Sequence, residues 1–440
     1  MKALVLAWLF FLNIGIIIAF WWTASGSQPL ASSGEELNAI GRVTALVGTY
    51  LVLVQLLLLA RVPWLEEAFG MERLLVFHRW NAYASLGLIS AHAAFQTAGY
   101  ASINGLGFMD QLGDFIAHYD GLLGAVIALA LLIAVTVVSV AVVRRLLAYQ
   151  TWYFIHLYVY LAVALAFAHQ LATGVDFISS SAFQAYWWAL YAVVVGGLLY
   201  FRLLQPLLRF RRHRFRVERI EREATGAVSI YISGRDLRAF TFQPGQFAIW
   251  RFLDGRWWWE AHPFTLSTVP SDRRLRLTVK ASGDFSSRIA SLRRGTAVLV
   301  EGPFGRFTAD ATTASKVLLI AGGIGVTPLR ALAEQLAHEG RDVCLLYRCH
   351  RDEDVAFRKE LDTLTRKYGI RIEYLLSDRP LRGRVGSEWL LPTHLAVLVP
   401  DLAEREVYLC GPEGMIKYVK ETLDALGVQD ARIHTEVFVF

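Results

Sequence analysis

Long apolar stretches dominate the first half of the chain, and short alternating patterns dominate the second. Each long stretch approaches the roughly 20 residues that a helix needs to span a bilayer. Six such segments are predicted, at residues 3–22, 40–60, 74–96, 121–143, 152–172 and 182–204. The first resembles a signal peptide, but its apolar run exceeds the usual length of such a region, so we predict a helix. The fold class is therefore a multi-domain membrane protein that begins with a six-helix transmembrane bundle.

The second half has the patterns of soluble domains. Alternating apolar and polar residues from Phe215 to Val300, broken by turn signals, predict short antiparallel strands. From Lys316 an apolar strand, KVLLIA, runs into a glycine-rich turn and then a helical stretch, and the strand DVCLLYR follows. Strand, glycine turn and helix can hold a pyrophosphate on backbone N–H groups. The spacing is not G-x-G-x-x-G, so the turn alone is weak evidence.

Charge agrees with this division and adds an orientation. Of the 440 residues, 55% are apolar, and only 17 Asp, Glu, Lys and Arg residues precede position 209. The predicted loops 23–39, 97–120 and 173–181 contain no Lys or Arg. Basic residues lie in the opposite connections, at Arg61, Arg73, Arg144, Arg145 and throughout Arg209–Arg216. The positive-inside rule therefore places both termini and the soluble half in the cytoplasm. The expected location is the inner or plasma membrane of the cell.

The positions of the basic residues and of the cysteines bear on two further features, a nucleic-acid partner and a disulfide framework. Most of the net charge of +6 lies in Arg209–Arg216, beside the last apolar segment, so no nucleic-acid partner is expected. All three cysteines, Cys344, Cys349 and Cys410, lie in the soluble half, so no disulfide framework is expected. The lipid bilayer is the one partner that composition itself predicts.

Four histidines lie inside the apolar segments. His78 and His92 are in the third segment, and His156 and His169 are in the fifth. Ionisable side chains in a bilayer are costly and usually functional. The third and fifth segments run in the same direction, so His78 and His156 share the cytoplasmic level while His92 and His169 share the outer level. One imidazole from each of two helices is what a six-coordinate haem iron requires, so two stacked haems are predicted.

Other interpretations of these polar residues stay open. The 13-residue spacing in the fifth segment turns by roughly 140°, so this helix is kinked, altered in winding, or has its histidines on different sides. Zinc, which prefers four clustered ligands, a proton relay and purely structural histidines are the competing interpretations. Arg42, near an outer helix end, either pairs with a haem propionate or an oxygen-derived anion, or extends to the membrane surface.

Further motifs follow in a fixed order. They are Pro244-Gly245-Gln246-Phe247, His262-Pro263-Phe264-Thr265-Leu266-Ser267, Lys280 with Gly283-Asp284-Phe285-Ser286-Ser287, the loop Gly322–Pro328, Cys410-Gly411-Pro412 and the terminal Phe440. With the histidine spacing, they make the chain resemble the ferric reductase and NADPH oxidase family, most closely its prokaryotic NADPH oxidase-like members. The resemblance implies three domains: a six-helix haem domain at 1–208, a ferredoxin-reductase-type FAD-binding β-barrel at 209–310, and an NAD(P)H-binding α/β parallel-sheet domain at 311–440.

The resemblance also implies roles for single residues. The flavin motif comprises His262, Pro263, Phe264, Thr265 and Ser267, and the FAD pyrophosphate segment comprises Lys280, Gly283, Ser286 and Ser287. The nucleotide loop comprises Gly322, Gly323, Gly325, Thr327 and Pro328, and Gly411 and Pro412 flank the nicotinamide. The expected catalytic residues are Cys410, near the nicotinamide ring, and Phe440, which covers the flavin until nicotinamide displaces it.

The nucleotide preference and two departures from the family pattern refine this expectation. Arg348, Arg379 and Arg384 are candidates for the 2′-phosphate, and no Asp or Glu replaces Arg348, so NADPH is favoured over NADH. Calcium control is not expected, because no calcium-binding extension precedes the first segment. Animal oxidases carry an additional outer histidine where this chain has Gln96.

The expected function is transmembrane electron transfer. NADPH reduces FAD in the cytoplasm, single electrons pass through two b-type haems, and O2 or a ferric chelate accepts them at the outer face. One alternative sends the electrons to a periplasmic protein or a quinone. Another makes the membrane half a haem or iron carrier with an attached flavin reductase.

Overall fold

The computed structural model describes residues 2–27, 29–140, 143, 146–147, 149–174, 176, 180–255, 258–271, 273–378 and 388–437. The chain forms two compact units, Met1–Leu203 and Leu204–Phe440. The first unit is helical and apolar, and the second contains all of the β-strands in the described part of the chain. The two units are described separately below.

The first unit consists of eight described helices. They are α1 (Lys2–Trp21), α2 (Ser33–Leu58), α3 (Pro63–Phe69), α4 (Met71–Asn104), α5 (Phe108–His118), α6 (Leu122–Ser139), α7 (Tyr149–Thr173) and α8 (Ser181–Leu199). Ser32 and Ser180 cap α2 and α8, each by accepting a hydrogen bond from a backbone N–H of the first turn. The short helices α3 and α5 lie in connections between the apolar segments, where the hydropathy pattern predicts no helix.

Five helices in the described part of the chain are long and apolar enough to cross a membrane. They cover Lys2–Ala24, Ser33–Leu58, Leu122–Ser139, Gln150–Thr173 and Ser181–His213. The third of the six predicted segments, 74–96, lies within α4 and is not one of these five. That helix has 34 residues, and charged or amide residues such as Arg79, Asn81 and Gln96 make it less apolar than its neighbours.

Helices α2 and α4 pack closely along their whole length. Gly34, Gly41 and Gly48 recur every seven residues on the side of α2 that meets α4. A Cβ atom at Gly41 would lie 2.6 Å from the Gln96 Nε2 atom, and one at Gly48 would lie 2.9 Å from Ile89. Small residues at such positions let two helix backbones approach each other in a membrane. This close contact holds α4 firmly against α2.

The second unit begins with a short helix and a sandwich of two antiparallel sheets. Helix α9 (Gln205–His213) precedes β1 (Arg216–Ala224), β2 (Ala227–Ser233), β3 (Phe247–Phe252), β4 (His262–Thr265), β5 (Leu275–Lys280), helix α10 (Asp284–Arg288) and β6 (Val298–Phe304). The strand orders are β1-β2-β5 and β4-β3-β6. Bridges between Leu266 and Leu277 and between Arg216 and Ala297 join the two sheets. Their inner faces bury Trp250 and Phe252, which confirms the predicted antiparallel β domain.

The rest of this unit is a five-stranded parallel sheet with helices. The elements are β7 (Lys316–Gly322), α11 (Val326–His338), β8 (Asp342–Cys349), α12 (Arg358–Tyr368), β9 (Arg371–Leu376), α13 (Pro392–Leu398), β10 (Glu406–Gly411), α14 (Glu413–Ala425) and β11 (Ile433–Val437). The strand order is β11-β10-β7-β8-β9. Central strands such as β7 are buried on both faces, which explains the continuous apolar run KVLLIA. The predicted α/β parallel-sheet domain is confirmed.

Candidate functional site

The four membrane histidines form two pairs. His78 and His92 lie on α4, and His156 and His169 lie on α7. The ring centres of His78 and His156 are 6.2 Å apart, and His169 lies within electrostatic range of His92. Two imidazoles that bind one metal through bonds of about 2 Å have ring centres roughly 6 Å apart. The spacing of the first pair therefore fits a single metal atom between its rings.

Hydrogen bonds to Nδ1 determine which ring nitrogen is available. The Nδ1 atom of His92 lies 2.9 Å from the backbone carbonyl of Gly41, which can only accept, so this nitrogen carries the proton. The Nδ1 atom of His156 lies 3.3 Å from the Ser139 hydroxyl, and Ser139 donates its own proton to the Val135 carbonyl at 2.7 Å.

At His169, the Nδ1 atom lies 3.1 Å from the Thr173 hydroxyl. When Nδ1–H donates to such a partner, the lone pair lies on Nε2, which leaves that nitrogen free to bind a metal. Sequence reasoning missed these partners. Thr173 lies one helical turn after His169, so helix periodicity could have indicated it, whereas Ser139 lies on another helix.

The histidines occur in twos and not in larger groups. Within the described ranges, no group of three or more His, Cys, Asp or Glu side chains is placed to hold a metal ion. Helix α7 is one continuous α-helix from Tyr149 to Thr173. The 13 residues that separate its histidines turn by roughly 140° in a regular helix. The backbone of His169 lies close to the α5–α6 connection: a Cβ atom added at Gly121 would lie 3.1 Å from the Cα atom of His169.

Arg42 lies one residue from the carbonyl that binds His92. Its side chain is half-buried, and the Nε atom is buried with no hydrogen-bond partner among the described residues. A buried guanidinium nitrogen without an acceptor is costly, so this position suits an anionic group. Of the two expectations for Arg42, an anion partner fits this placement better than full extension to the surface.

The predicted flavin motif lies on β4 and the residues that follow it. His262 stacks on Phe285 with ring centres 3.8 Å apart, and Phe264 and Phe285 are nearly parallel at 6.3 Å. The His262 Nε2 atom lies 3.1 Å from a carboxylate oxygen of Glu260. Burial lowers the pKa of His262, and the charge of Glu260 opposes this shift. The motif thus presents a flat aromatic surface; along β4, Pro263 lies between His262 and Phe264 in sequence, and the strand ends at the buried Thr265.

Two predicted flavin contacts are engaged elsewhere. Ser267 is fully buried, and its hydroxyl bonds to the Thr278 hydroxyl at 2.9 Å, so it contributes to the packing of the β domain. Ser286 accepts hydrogen bonds at 2.9 Å from the backbone N–H groups of Ser282 and Gly283, so it caps α10. Ser287 closes the same turn through its backbone N–H, which donates to the Gly283 carbonyl at 2.9 Å.

The nucleotide loop and the C-G-P motif meet where β7 and β10 end. A Cβ atom at Gly411 would lie 3.1 Å from the Gly322 Cα atom, and one at Gly325 would lie 2.8 Å from the Gly411 backbone nitrogen. Gly323 adopts a φ of +53°, which favours glycine. Thr327 donates from its hydroxyl to the Ile324 carbonyl at 2.9 Å and closes the turn before α11, and Pro328 is buried in the first turn of that helix. These residues are needed for the backbone to pack this tightly.

Cys410 is completely buried at the end of β10. Burial raises the pKa of its thiol well above the usual value, so the thiol stays neutral at physiological pH. A neutral thiol is a poor nucleophile. Its placement beside the glycine loop is consistent with shaping a binding surface.

A cavity of about 190 Å³ joins the β domain to the parallel sheet. Five predicted cofactor-binding residues line it: Lys280, Gly322, Gly323, Arg348 and Pro412. Lys280 comes from β5 and Arg348 from the end of β8, where carboxyl ends of parallel strands commonly bind nucleotides. The cavity is also lined by residues that sequence reasoning missed, among them Thr225, Tyr347, His350 and Asp354.

Three predicted residues cannot be placed. Arg379, Arg384 and Phe440 lie outside the described residues. The remaining cysteines, Cys344 and Cys349, are buried and free, as expected for a chain without a disulfide framework.

Comparison with known proteins assigns a domain to each part of the chain. Residues 44–167 match a model described as the ferric reductase like transmembrane component. Residues 212–308 match an FAD-binding domain, and residues 319–421 match an oxidoreductase NAD-binding domain.

Among curated relatives, the NADPH oxidoreductase of Mycobacterium tuberculosis is 30% identical over 247 residues, which cover 54% of this chain and 63% of the relative. A flavohemoprotein of Vibrio cholerae is 30% identical over 254 residues, covering 55% of this chain and 63% of that protein. The chain thus spans less than two thirds of the length of these relatives. The flavohem-like FAD/NAD binding domain of nitric oxide dioxygenase from Vibrio cholerae is 27% identical, with a TM-score of 0.43, and the match covers 52% of this chain and 99% of that domain.

The three domain matches follow one another in the order that the motifs predicted, and the five apolar helices agree with the first of them. The chain therefore has a ferric reductase/NADPH oxidase-like architecture: it is an oxidoreductase with a membrane component followed by FAD-binding and NAD(P)H-binding domains.

Proposed function

We propose that this protein carries electrons from cytoplasmic NADPH through FAD and two b-type haems to an acceptor at the outer face of the inner or plasma membrane. The acceptor is O2, which would give superoxide, or a ferric chelate. Each NADPH supplies two electrons, reduces two one-electron acceptors, and leaves NADP⁺ and one proton. The single observation that carries the proposal is the pairing of imidazoles from α4 and α7, with His78 and His156 6.2 Å apart.

The residues of the membrane unit fit haem ligation. His78 and His156 would hold the inner haem, and His92 and His169 the outer one, each through Nε2. Haem supplies one-electron carriage, and FAD supplies the exchange between a two-electron hydride and single electrons. The buried Arg42 Nε atom offers a donor to an outer haem propionate. Helix α4 is the sixth span in this proposal. Its polar side chains at Asn81 and His92 form hydrogen bonds with backbone carbonyl groups of α2, so they need not contact lipid.

The second unit supplies binding surfaces and no acid or base. The ring of Phe264 offers a face to the isoalloxazine, and the Thr265 hydroxyl offers a hydrogen bond to its polar edge. Lys280 neutralises phosphate charge at the cavity, and Gly322 and Gly323 let the nucleotide approach the backbone closely. Binding and orientation are what this chain contributes to hydride transfer.

Arg348 is proposed to select NADPH through its 2′-phosphate. Replacing Arg348 with glutamine is expected to lower kcat/KM for NADPH about tenfold, because one charge-assisted hydrogen bond is lost, and to leave kcat/KM for NADH within about twofold. Steady-state rates with both nucleotides check this. Arg366→Gln, on the exposed face of α12, is the control and should change neither value. An equal loss for both nucleotides would contradict a 2′-phosphate contact.

The proposed function is tested on the purified protein in detergent. FAD and NADPH are added without oxygen, the haem absorbance is recorded, and air is then admitted. Haem reduction followed by rapid reoxidation with superoxide release supports an oxidase. Haem reduction that persists in air indicates a ferric chelate, a periplasmic protein or a quinone as acceptor. Absence of any haem spectrum would refute the haem part of the proposal.

The same preparation distinguishes an electron conduit from a haem or iron carrier. A haem or iron carrier should lose haem to a competing haem-binding protein and transport it into vesicles. An electron conduit should retain its haem and transport none.

A further inference from the structure

Arg276 is a buried arginine on the nucleotide-facing side of β5. Its neighbours Leu275 and Leu277 are in the core of the β domain, and Arg276 points the other way with its side chain only 4% exposed. The Nη2 atom donates to the backbone carbonyl of Ser267 at 2.6 Å, and Nε donates to the Ser267 hydroxyl at 3.2 Å. Arg276 therefore holds the segment that directly follows the predicted flavin strand β4.

The same guanidinium group reaches across to the parallel-sheet domain. Both of its terminal nitrogens donate to the carboxylate of Glu360 in the first turn of α12, with Nη2 and Oε2 3.0 Å apart. The Nε atom of Arg330 lies 2.8 Å from the same Oε2 atom. Arg330 belongs to the first turns of α11, the helix that begins at the nucleotide loop. One carboxylate thus links the flavin strand to the nucleotide helix.

The local backbone fixes where this carboxylate lies. Phe357, which precedes α12, is 2% exposed and adopts a φ of +59°, a left-handed conformation that is unfavourable for a non-glycine residue. The Arg276 guanidinium lies 4.6 Å above its ring centre. Burial alone would raise the pKa of Glu360, but the adjacent guanidinium groups outweigh burial, so its pKa lies below the usual value. The carboxylate is therefore charged and held on both sides at neutral pH.

We propose that Glu360 and Arg276 are positioning residues that set the distance between the nicotinamide and flavin sites. Neither residue belongs to the predicted cofactor motifs, and their separation of 84 residues places them in different domains. This inference rests on the proposed transfer of hydride from NADPH to FAD. It adds that the geometry for this step depends on one ionic link between the two domains.

A purely structural ion pair predicts a different result. Buried ion pairs contribute little net stability, although removal of one partner is costly. A structural pair would therefore change the free energy of unfolding and leave the hydride step of the folded protein unchanged. A positioning pair must slow hydride transfer in protein that is folded and saturated with NADPH, because a displacement near 1 Å can cost about 100-fold in rate.

The test uses the full-length protein loaded with FAD in detergent. Glu360→Gln places an amide N–H group against a guanidinium donor and removes the charge. We expect the anaerobic rate of flavin reduction at saturating NADPH to fall about 10- to 100-fold, while the Kd for NADPH changes less than about threefold. The isotope effect with NADPH deuterated at the transferred position should stay at or above its wild-type value. The matched control is Glu404→Gln, which removes a 2.6 Å ion pair with Lys316 at the opposite end of β7.

A second variant covers the case in which Glu360→Gln does not fold. Glu360→Asp keeps the charge but is one methylene shorter, so it cannot hold both arginines, and a smaller loss in the same direction is expected. A rate within twofold of wild type in either folded variant, or an equal loss in Glu404→Gln, would overturn the inference. If NADPH does not reduce the flavin of the wild-type protein, the proposed function itself fails, and that result is distinguishable because it needs no variant.

Discussion

Replacement of His92 with alanine is expected to lower the haem content from two to one per chain and to abolish electron delivery to any outer acceptor. In the proposed arrangement His92 is the α4 ligand of the outer haem, and its Nδ1–H group donates to the Gly41 carbonyl at 2.9 Å. An alanine removes the ligand without changing the second unit. NADPH-dependent reduction of the flavin should therefore stay within about twofold of wild type, because binding and orientation there are independent of this helix. Haem absorbance per protein and anaerobic stopped-flow measurements check both parts.

His118→Ala is the matched control for this experiment. His118 lies in α5 with a side chain that is 71% exposed, and its contact is an ion pair with Asp114 one turn away. This variant should keep both haems and the full rate. Two haems in His92→Ala would show that His92 is not an axial ligand. Simultaneous loss of flavin reduction would contradict the proposed order of electron transfer.

Replacement of Gly325 with alanine is expected to have the largest effect on the second unit. The φ of Gly325 is −59°, which any residue adopts, so only space requires glycine here. The added Cβ atom would lie 2.8 Å from the Gly411 backbone nitrogen, and backbone cannot move aside as a flexible side chain can. We expect a loss of about 1–3 kcal/mol in the free energy of unfolding and at least a tenfold fall in kcat/KM for NADPH. Denaturant unfolding and steady-state kinetics measure these changes.

Gly414→Ala provides the comparison within the same pair of motifs. Gly414 lies in α14, directly after the C-G-P motif, and no atom lies within 4 Å of its ideal Cβ position. Alanine favours helix by about 0.5–1 kcal/mol over glycine, so this variant should be as stable as wild type or more so. Equal destabilisation in both variants would indicate that the close approach of β7 and β10 is not the cause. Chemical reduction of the haems should be unaffected in both.

Local sequence patterns were sufficient for the parts of the fold that have their own signature. The strand β7, its glycine turn and α11 were predictable because an apolar strand, glycines and a helical period follow one another directly. The grouping of His78 with His156 was predictable because spacings of 14 and 13 residues on two helices that run in the same direction place imidazoles at common levels. These features depend on neighbours along the chain or on simple helix geometry.

Contacts across long separations left no signal of that kind. The link from Arg276 to Glu360 joins residues 84 positions apart, and neither lies in a recognisable motif. The hydrogen bond between Ser267 and Thr278 likewise joins separate segments, and the flavin motif gives no sign of it. Helix α4 is not one of the five most apolar helices, because mean hydropathy does not distinguish polar side chains that contact another helix from those that would contact lipid.

The hydrogen bond from His92 to the Gly41 carbonyl has a consequence for how the protein tolerates genetic change. A backbone acceptor is present whatever residue occupies position 41, so the bond is lost only by a substitution that moves the α2 backbone, as a side chain 2.6 Å from Gln96 at position 41 would. The hydroxyl partners of His156 and His169, at Ser139 and Thr173, can each be lost in a single substitution. Natural variation can thus readjust the surroundings of the α7 histidines one at a time, while the environment of His92 changes only when the path of α2 itself changes.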